Sequence, residues 1–205
     1  MGATARQQRE SSHGDPAGQI SPENRTDKPC LACHVFDKEK DPASTLVAMS
    51  EHVFSELAAT RKVANREVLA VAAGNTGADP YLGLDWIATL DGAAYQLKQK
   101  FGNRGERSLY CLHDEPGYAA SFDRFFAGFL ASLDEPEGAA PLVYRDVAVM
   151  RIAGREVGFQ TFRAQRVADG NYRSIARGSL LILVSSDQLQ ASDDYSIEVS
   201  RPDGS

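Results

Sequence analysis

Three consecutive strand-length segments joined by turn residues place the strongest constraint on how this chain can fold. In chain order the segments and turns are residues 142–152, Ala153-Gly154, residues 156–166, Asp169-Gly170-Asn171 and residues 172–185. Segments this close in the chain pair as hairpins, so we predict an antiparallel meander with residues 195–200 as a further edge strand. The unbroken apolar run at residues 180–184 indicates a central strand that is buried on both faces.

A wide apolar stripe precedes this meander and predicts a helix. Its members recur at helical spacing: Tyr118, Phe122, Phe125, Phe126, Phe129, Leu130 and Leu133. A stripe of this width, rich in phenylalanine, is typical of a helix that covers a sheet. Because the predicted meander follows directly, we expect this helix to pack on it.

The chain before that stripe is predicted to be mainly helical. Asp41-Pro42 is a typical helix start, and apolar residues at helical spacing continue to about residue 60. Asp79-Pro80 repeats the start signal, and a second apolar series runs to Gly102 through Leu82, Trp86, Leu90, Ala93, Leu97 and Phe101. The Asp91-Gly92 pair inside this second series leaves a hairpin as the alternative.

Two shorter segments complete the predicted fold. Residues 67–73 are apolar and fit either a strand or a short helix, whereas residues 108–113 have the pattern of a strand. The predicted fold class is therefore α+β, with N-terminal helices followed by a helix packed on an antiparallel β-meander.

The N-terminal region differs in composition from the rest of the chain. Residues 1–41 are rich in Gly, Ser, Pro and charged residues and contain almost no large apolar side chains before Leu31. Such a segment buries too little apolar surface to offset the entropy lost on ordering. We expect residues 1–41 to be a disordered arm and residues 42–205 to form a single domain.

Location and charge narrow the classes of partner. The N-terminus has no apolar signal-peptide region, and no stretch approaches the ~18 apolar residues of a membrane span. We therefore expect a cytoplasmic protein with no membrane partner. A formal net charge of -6 gives the molecule as a whole no attraction to nucleic acid.

Cys30-Leu31-Ala32-Cys33-His34 is the motif with the clearest chemical meaning, and it holds two of the three cysteines. In a reducing compartment, paired cysteines are more often metal ligands or redox thiols than disulfides. Cys111 and His113 lie two residues apart on a predicted strand and should project from one face. Adding them to Cys30 and Cys33 gives a Cys₃His zinc site that would attach the arm to the sheet.

The same motif supports other chemistries. Cys30 and Cys33 could anchor a c-type haem with His34 as the axial ligand, which would make the protein an electron carrier. A dithiol redox switch is a further alternative, although no strand precedes Cys30 as it does in dithiol oxidoreductases.

Arginine and aromatic residues alternate in the predicted meander. This composition is typical of surfaces that bind single-stranded nucleic acid, and the candidate residues are Arg155, Phe159, Phe162, Arg163 and Tyr172. Phenylalanine in the core and arginine on a solvated face would produce the same pattern.

No nucleotide-binding loop, nucleophile elbow or metalloprotease motif is present, so the sequence favours a non-enzymatic role. The leading hypothesis is an interaction or regulatory protein whose partner is another protein and whose N-terminal arm carries a zinc site. The haem carrier and the nucleic-acid-binding module are the alternatives.

Overall fold

Strands make up most of this protein in the computed structural model, which describes residues 31–37, 45–114, 116–133 and 140–202. Within these ranges there are nine strands: β1 (Leu31–Asp37), β2 (Val63–Thr76), β3 (Asp79–Leu90), β4 (Ala93–Arg104), β5 (Arg107–His113), β6 (Leu142–Ile152), β7 (Arg155–Arg166), β8 (Tyr172–Ser185) and β9 (Gln188–Ser200). The two α-helices of the same ranges are α1 (Leu46–Thr60) and α2 (Ala119–Ser132).

The strands form two antiparallel sheets. The first sheet has the order β1-β5-β4-β3-β2, and the second sheet has the order β6-β7-β8-β9. In chain order, a helix precedes each run of four strands joined as a meander: α1 precedes β2 to β5, and α2 precedes β6 to β9. Strand β1 is added at the edge of the first sheet beside β5. Residues 31–37, for which disorder was expected, thus form a strand, and the other residues of 1–41 lie outside the described ranges.

The predicted fold class is wrong, mainly because residues 80–102 form the hairpin of β3 and β4 rather than a helix. Leu82, Trp86 and Leu90 are spaced by four, which fits a strand of period two as well as a helix. Leu84 and Ala88 are also buried, which completes the strand pattern. The connecting residues Asp91 and Gly92 have φ angles of 52° and 87°, as a two-residue hairpin turn requires.

Helix α2 exists close to the predicted bounds, but the expectation that it packs on the following meander is wrong. Its buried side chains Phe122, Phe126 and Leu130 share a core with Leu109 and Cys111 of β5. A glycine in β4 allows this close approach: a Cβ atom at Gly102 would lie 2.7 Å from Leu130 Cδ2. Helix α2 therefore covers the outer face of the first sheet.

The opposite, inner face of the first sheet carries the main core. Helix α1 packs on β3 and β4, and its side chains Val53 and Phe54 are buried with Trp86. Phe159 of β7 and Leu181 of β8 belong to the same cluster, so the second sheet packs on the inner face beside α1. Neither described α-helix is long and apolar enough to cross a bilayer.

A buried carboxylate joins the two sheets at the start of β3. Asp79 is 3% exposed and accepts from Arg104 of β4 at 2.7 Å and from Arg145 of β6 at 2.8 Å. Arg145 also donates to the carbonyl of Ala78 at 2.8 Å. The carboxylate is therefore matched by charged donors from both sheets.

Replacing this carboxylate should weaken the attachment between the sheets. We expect Asp79→Asn to lower the free energy of unfolding by about 2 kcal/mol, because two hydrogen bonds between charged groups are weakened. Urea unfolding measures the loss. The control is Glu156→Gln, which alters the exposed pair of Glu156 with Arg151 and should cost less than about 1 kcal/mol. Equal losses in the two variants would contradict the structural role of Asp79.

Candidate binding surface

The Cys-x-x-Cys-His segment does not assemble the predicted metal site. Cys33 lies directly opposite Cys111 in the antiparallel pairing of β1 with β5, and the two form a disulfide. A disulfide sulfur is neither a thiolate ligand for zinc nor available as a thioether anchor for haem. Cys30 lies outside the described residues. The structure thus brings Cys33 and Cys111 together, but through a covalent bond to each other.

The two histidines of the predicted sites lie on opposite faces of the first sheet. His113 faces α2, and its ring centroid is 5.6 Å from that of Phe122. His34 faces the inner side, where its ring stacks on Tyr110 at 6.4 Å. Burial, followed by the nearby His52, lowers the pKa of His34. This separation follows from strand geometry, since consecutive residues point to opposite faces.

The zinc and haem predictions are therefore wrong for this structure. In the part of the chain that the structure describes, no three His, Cys, Asp or Glu side chains come together as a metal site. The physical reason is the register of β1, which pairs the two sulfurs with each other and turns His34 to the other face.

The structure divides the candidate nucleic-acid residues between the two faces of the second sheet. Phe159 and Arg163 lie on the inner face, with exposures of 0% and 9%. Phe162 is 39% exposed on the outer face. Arg155 begins β7 and is exposed, and Tyr172 begins β8 and is half-buried. These five residues do not form one continuous surface.

The outer face of the second sheet is covered by neither of the two described α-helices. We call it the open face. By strand register its small and apolar members are Tyr144, Ala148, Met150, Gly158, Phe162, Ala164, Ala176, Gly178, Leu180 and Ile182. Helix α1 packs on β3 and β4 and helix α2 on β4 and β5, so neither reaches it.

Aromatic and aliphatic side chains mark the two ends of the open face. Tyr144 is 53% exposed, and its ring lies 5.9 Å from that of Phe162. Leu180 and Ile182 are only half-buried, although Leu181, which lies between them and points inward, is 1% exposed. The prediction that residues 180–184 are buried on both faces is therefore wrong, because only the inner face is covered.

Small residues form a shallow central band between these ends. Ala164 and Ala176 leave room above the middle of the sheet, and no heavy atom lies within 3.7 Å of a Cβ built at Gly178. Acidic side chains border the band, with Asp146 on β6 and Asp194 and Glu198 on β9. The basic residues on this face are Arg166, at the end of β7, and Arg151 of β6, which forms an ion pair with Glu156 of β7.

One signal in the sequence could have located this surface. Phe159 and Phe162 are three residues apart, so on a strand they must point to opposite faces, and only one can enter the core.

Comparison of the chain with family models, curated proteins and solved structures found no match in any of the three.

Proposed function

We propose that this protein is a non-enzymatic interaction protein that binds an amphipathic helix of a partner protein on the open face. The observation that carries the proposal is the apolar run in β8, which has an uncovered side although its composition suits burial on both sides. Exposed apolar patches of this kind are typical of interaction sites.

The way in which α2 covers the first sheet supports a helix as the binding partner of the open face. Its outer face is covered by α2, whose phenylalanine and leucine side chains pack over Gly102. The open face of the second sheet offers a similar combination, in which Gly178 and Ala176 lie between larger apolar residues. A helix with a comparable apolar stripe would bury Phe162 and Leu180 as α2 buries Leu109.

The charges support a basic partner over a second copy of this chain. Asp146, Asp194 and Glu198 border the apolar band, so lysine and arginine on the flanks of the helix would find complementary charges. Two open faces placed together would bring these acidic borders into contact. Residues 1–30 of the same chain contain almost no large apolar side chains and are poorly suited to cover the face.

A designed peptide tests the proposal. The probe is a helical peptide with leucine and phenylalanine on one side and lysine on its flanks, compared with a peptide in which glutamate replaces lysine. We expect the basic peptide to bind and to shift backbone NMR signals of β7 and β8. Ala176→Lys should reduce its affinity by more than about tenfold, since it adds bulk and like charge to the centre of the face.

A matched variant controls for general effects of the added lysine. Ala94→Lys makes the same change at an exposed strand position in the first sheet and should leave the affinity unchanged. Equal affinity of the two variants, or no binding of the basic peptide to the native protein, would rule out the open face. Retention of a short single-stranded oligonucleotide in its place would favour the nucleic-acid alternative.

The cellular compartment of the protein is also part of this proposal. A cytoplasmic location stays a prediction, and the Cys33–Cys111 disulfide favours an oxidising compartment instead, because disulfides persist where thiols are not kept reduced. A partner would then be met outside the reducing cytosol.

A further inference from the structure

Strand β6 is an edge of the second sheet and carries exposed apolar side chains at both of its ends. Among the described strands it pairs with β7 alone. Four of its apolar residues are between 50% and 55% exposed: Leu142, Val143, Tyr144 and Ile152. Edge strands are normally protected against further pairing, because their free N–H and C=O groups attract other strands.

The other three edges of the described sheets have the usual kinds of protection. Strand β1 has only seven residues, and β2 has two register shifts in its pairing with β3. Strand β9 carries three carboxylates, those of Asp193, Asp194 and Glu198. Short length, bulges and charge all discourage a further strand from pairing. In β6 the register shifts lie near the ends, and Tyr144–Met150 pairs with β7 without interruption.

The backbone of this regular segment is oriented to bond a further strand. In an antiparallel pair, alternate residues of an edge strand direct their N–H and C=O groups away from the neighbouring strand. Val147 belongs to this set, since its N–H donates to the exposed carboxylate of Asp146 at 3.0 Å. By alternation, Arg145 and Val149 belong to the same set. Val147 is the middle residue of Tyr144–Met150, so the available backbone groups are arranged symmetrically about it.

This symmetry favours a second copy of the chain as the partner of β6. A twofold axis through the middle of an edge strand pairs it antiparallel with its own counterpart. When Val147 lies opposite its counterpart, Tyr144 lies opposite Met150 of the second copy, and Leu142 comes beside Ile152 of the second copy. The same contacts recur at the other end of the pair. Each exposed apolar end of β6 is therefore covered by the opposite end of the other copy.

The charged residues of β6 are compatible with this pairing. Arg145 is directed inward to Asp79 at 2.8 Å, and Arg151 forms an ion pair within its own sheet. Asp146 would lie opposite Ala148 of the second copy, with its own counterpart at the diagonal position. Diagonal neighbours are about 7–8 Å apart, so the contact between like charges weakens the dimer without preventing it.

We propose that this chain forms a symmetric dimer in which the two β6 strands pair antiparallel about Val147. The pairing joins two four-stranded sheets into one continuous sheet of eight strands. The open faces then lie side by side rather than against each other, so the dimer does not depend on a helix bound to either of them. Because the contact is confined to one strand of each copy, we expect a weak, concentration-dependent dimer.

Sedimentation velocity of the full chain at increasing concentration tests the proposal. We expect a reversible shift from monomer to dimer, with no dimer band on non-reducing gel electrophoresis. Val147→Pro should weaken dimerisation by more than about tenfold, because it removes the central N–H but leaves the bonds from β6 to β7 in place. Asp146→Asn should strengthen dimerisation by about two- to fivefold, since it removes the like charges at the diagonal position.

Val147→Thr is the matched control, since it keeps the N–H and a β-branched side chain and should dimerise like the native protein. Ala176→Lys alters the open face alone and should also leave the dimer intact, which separates this proposal from helix binding. Hydrogen exchange of the native protein needs no variant: the amides of Arg145, Val147 and Val149 should exchange more slowly at high concentration. A chain that stays monomeric, a dimer that Val147→Pro does not weaken, or unchanged exchange at these three amides would overturn the proposal.

Discussion

Loss of the Cys33–Cys111 disulfide is expected to lower the free energy of unfolding by about 4 kcal/mol in the chain-entropy account of cross-links. The bond joins residues separated by 78 positions, so it removes much of the conformational freedom of the unfolded chain. It also fixes β1, an edge strand that is hydrogen-bonded to β5 alone. The measurement is urea unfolding of the native protein and of the double variant Cys33→Ser, Cys111→Ser.

The third cysteine provides the control for this experiment. Cys30→Ser removes a thiol from the same motif but leaves the Cys33–Cys111 bond in place, so its stability should stay within about 0.5 kcal/mol of the native value. Reductant should destabilise the native protein and Cys30→Ser but have no effect on the double variant. A loss that accompanies Cys30→Ser instead would show that a different pair of cysteines is bonded.

Truncation of the central phenylalanine of α2 is expected to have an effect of similar size. Phe126 is 1% exposed, its ring lies 6.1 Å from that of Tyr81, and it packs over Gly102. Phe126→Ala removes a large apolar group and leaves a cavity between α2 and the first sheet. We expect it to lower the free energy of unfolding by about 3–5 kcal/mol, measured by urea unfolding with near-ultraviolet circular dichroism.

The adjacent residue makes a strict comparison possible. Phe125 lies on the same helix but is 42% exposed, so Phe125→Ala changes helix composition equally and removes little buried surface. Its loss of stability should stay below about 1.5 kcal/mol. If the two variants were destabilised equally, α2 would not be oriented on the first sheet as described.

Local pattern predicted the C-terminal half of the fold well. The strands β6, β7 and β8 and their turns are confirmed nearly residue for residue, because alternation and turn residues are local signals. The Ala153-Gly154 turn has positive φ angles at both residues, as its sequence suggests. Helix α2 is confirmed by the same kind of signal, its apolar stripe of period 3.6.

Two of the other errors concern relations between distant segments, which no short segment encodes. The stripe of α2 predicts that the helix covers a sheet, but the choice between the sheet before it and the sheet after it depends on the packing of the whole chain. The pairing of Cys33 with Cys111 depends on the register of β1 against β5. The sequence analysis also placed Phe162 and Phe159 on one candidate binding surface, although strand geometry puts the two side chains on opposite faces of the sheet.

The main core contains residues of both sheets, and this affects how the chain folds during synthesis on the ribosome. Strands β2 to β5 can pair as soon as they emerge, yet Phe159 and Leu181, which share their core, are translated much later. Until β7 and β8 have been synthesised, part of the inner apolar face of the first sheet therefore stays exposed. During this interval it is a target for chaperones and for aggregation, as expected when distant parts of a chain complete one core.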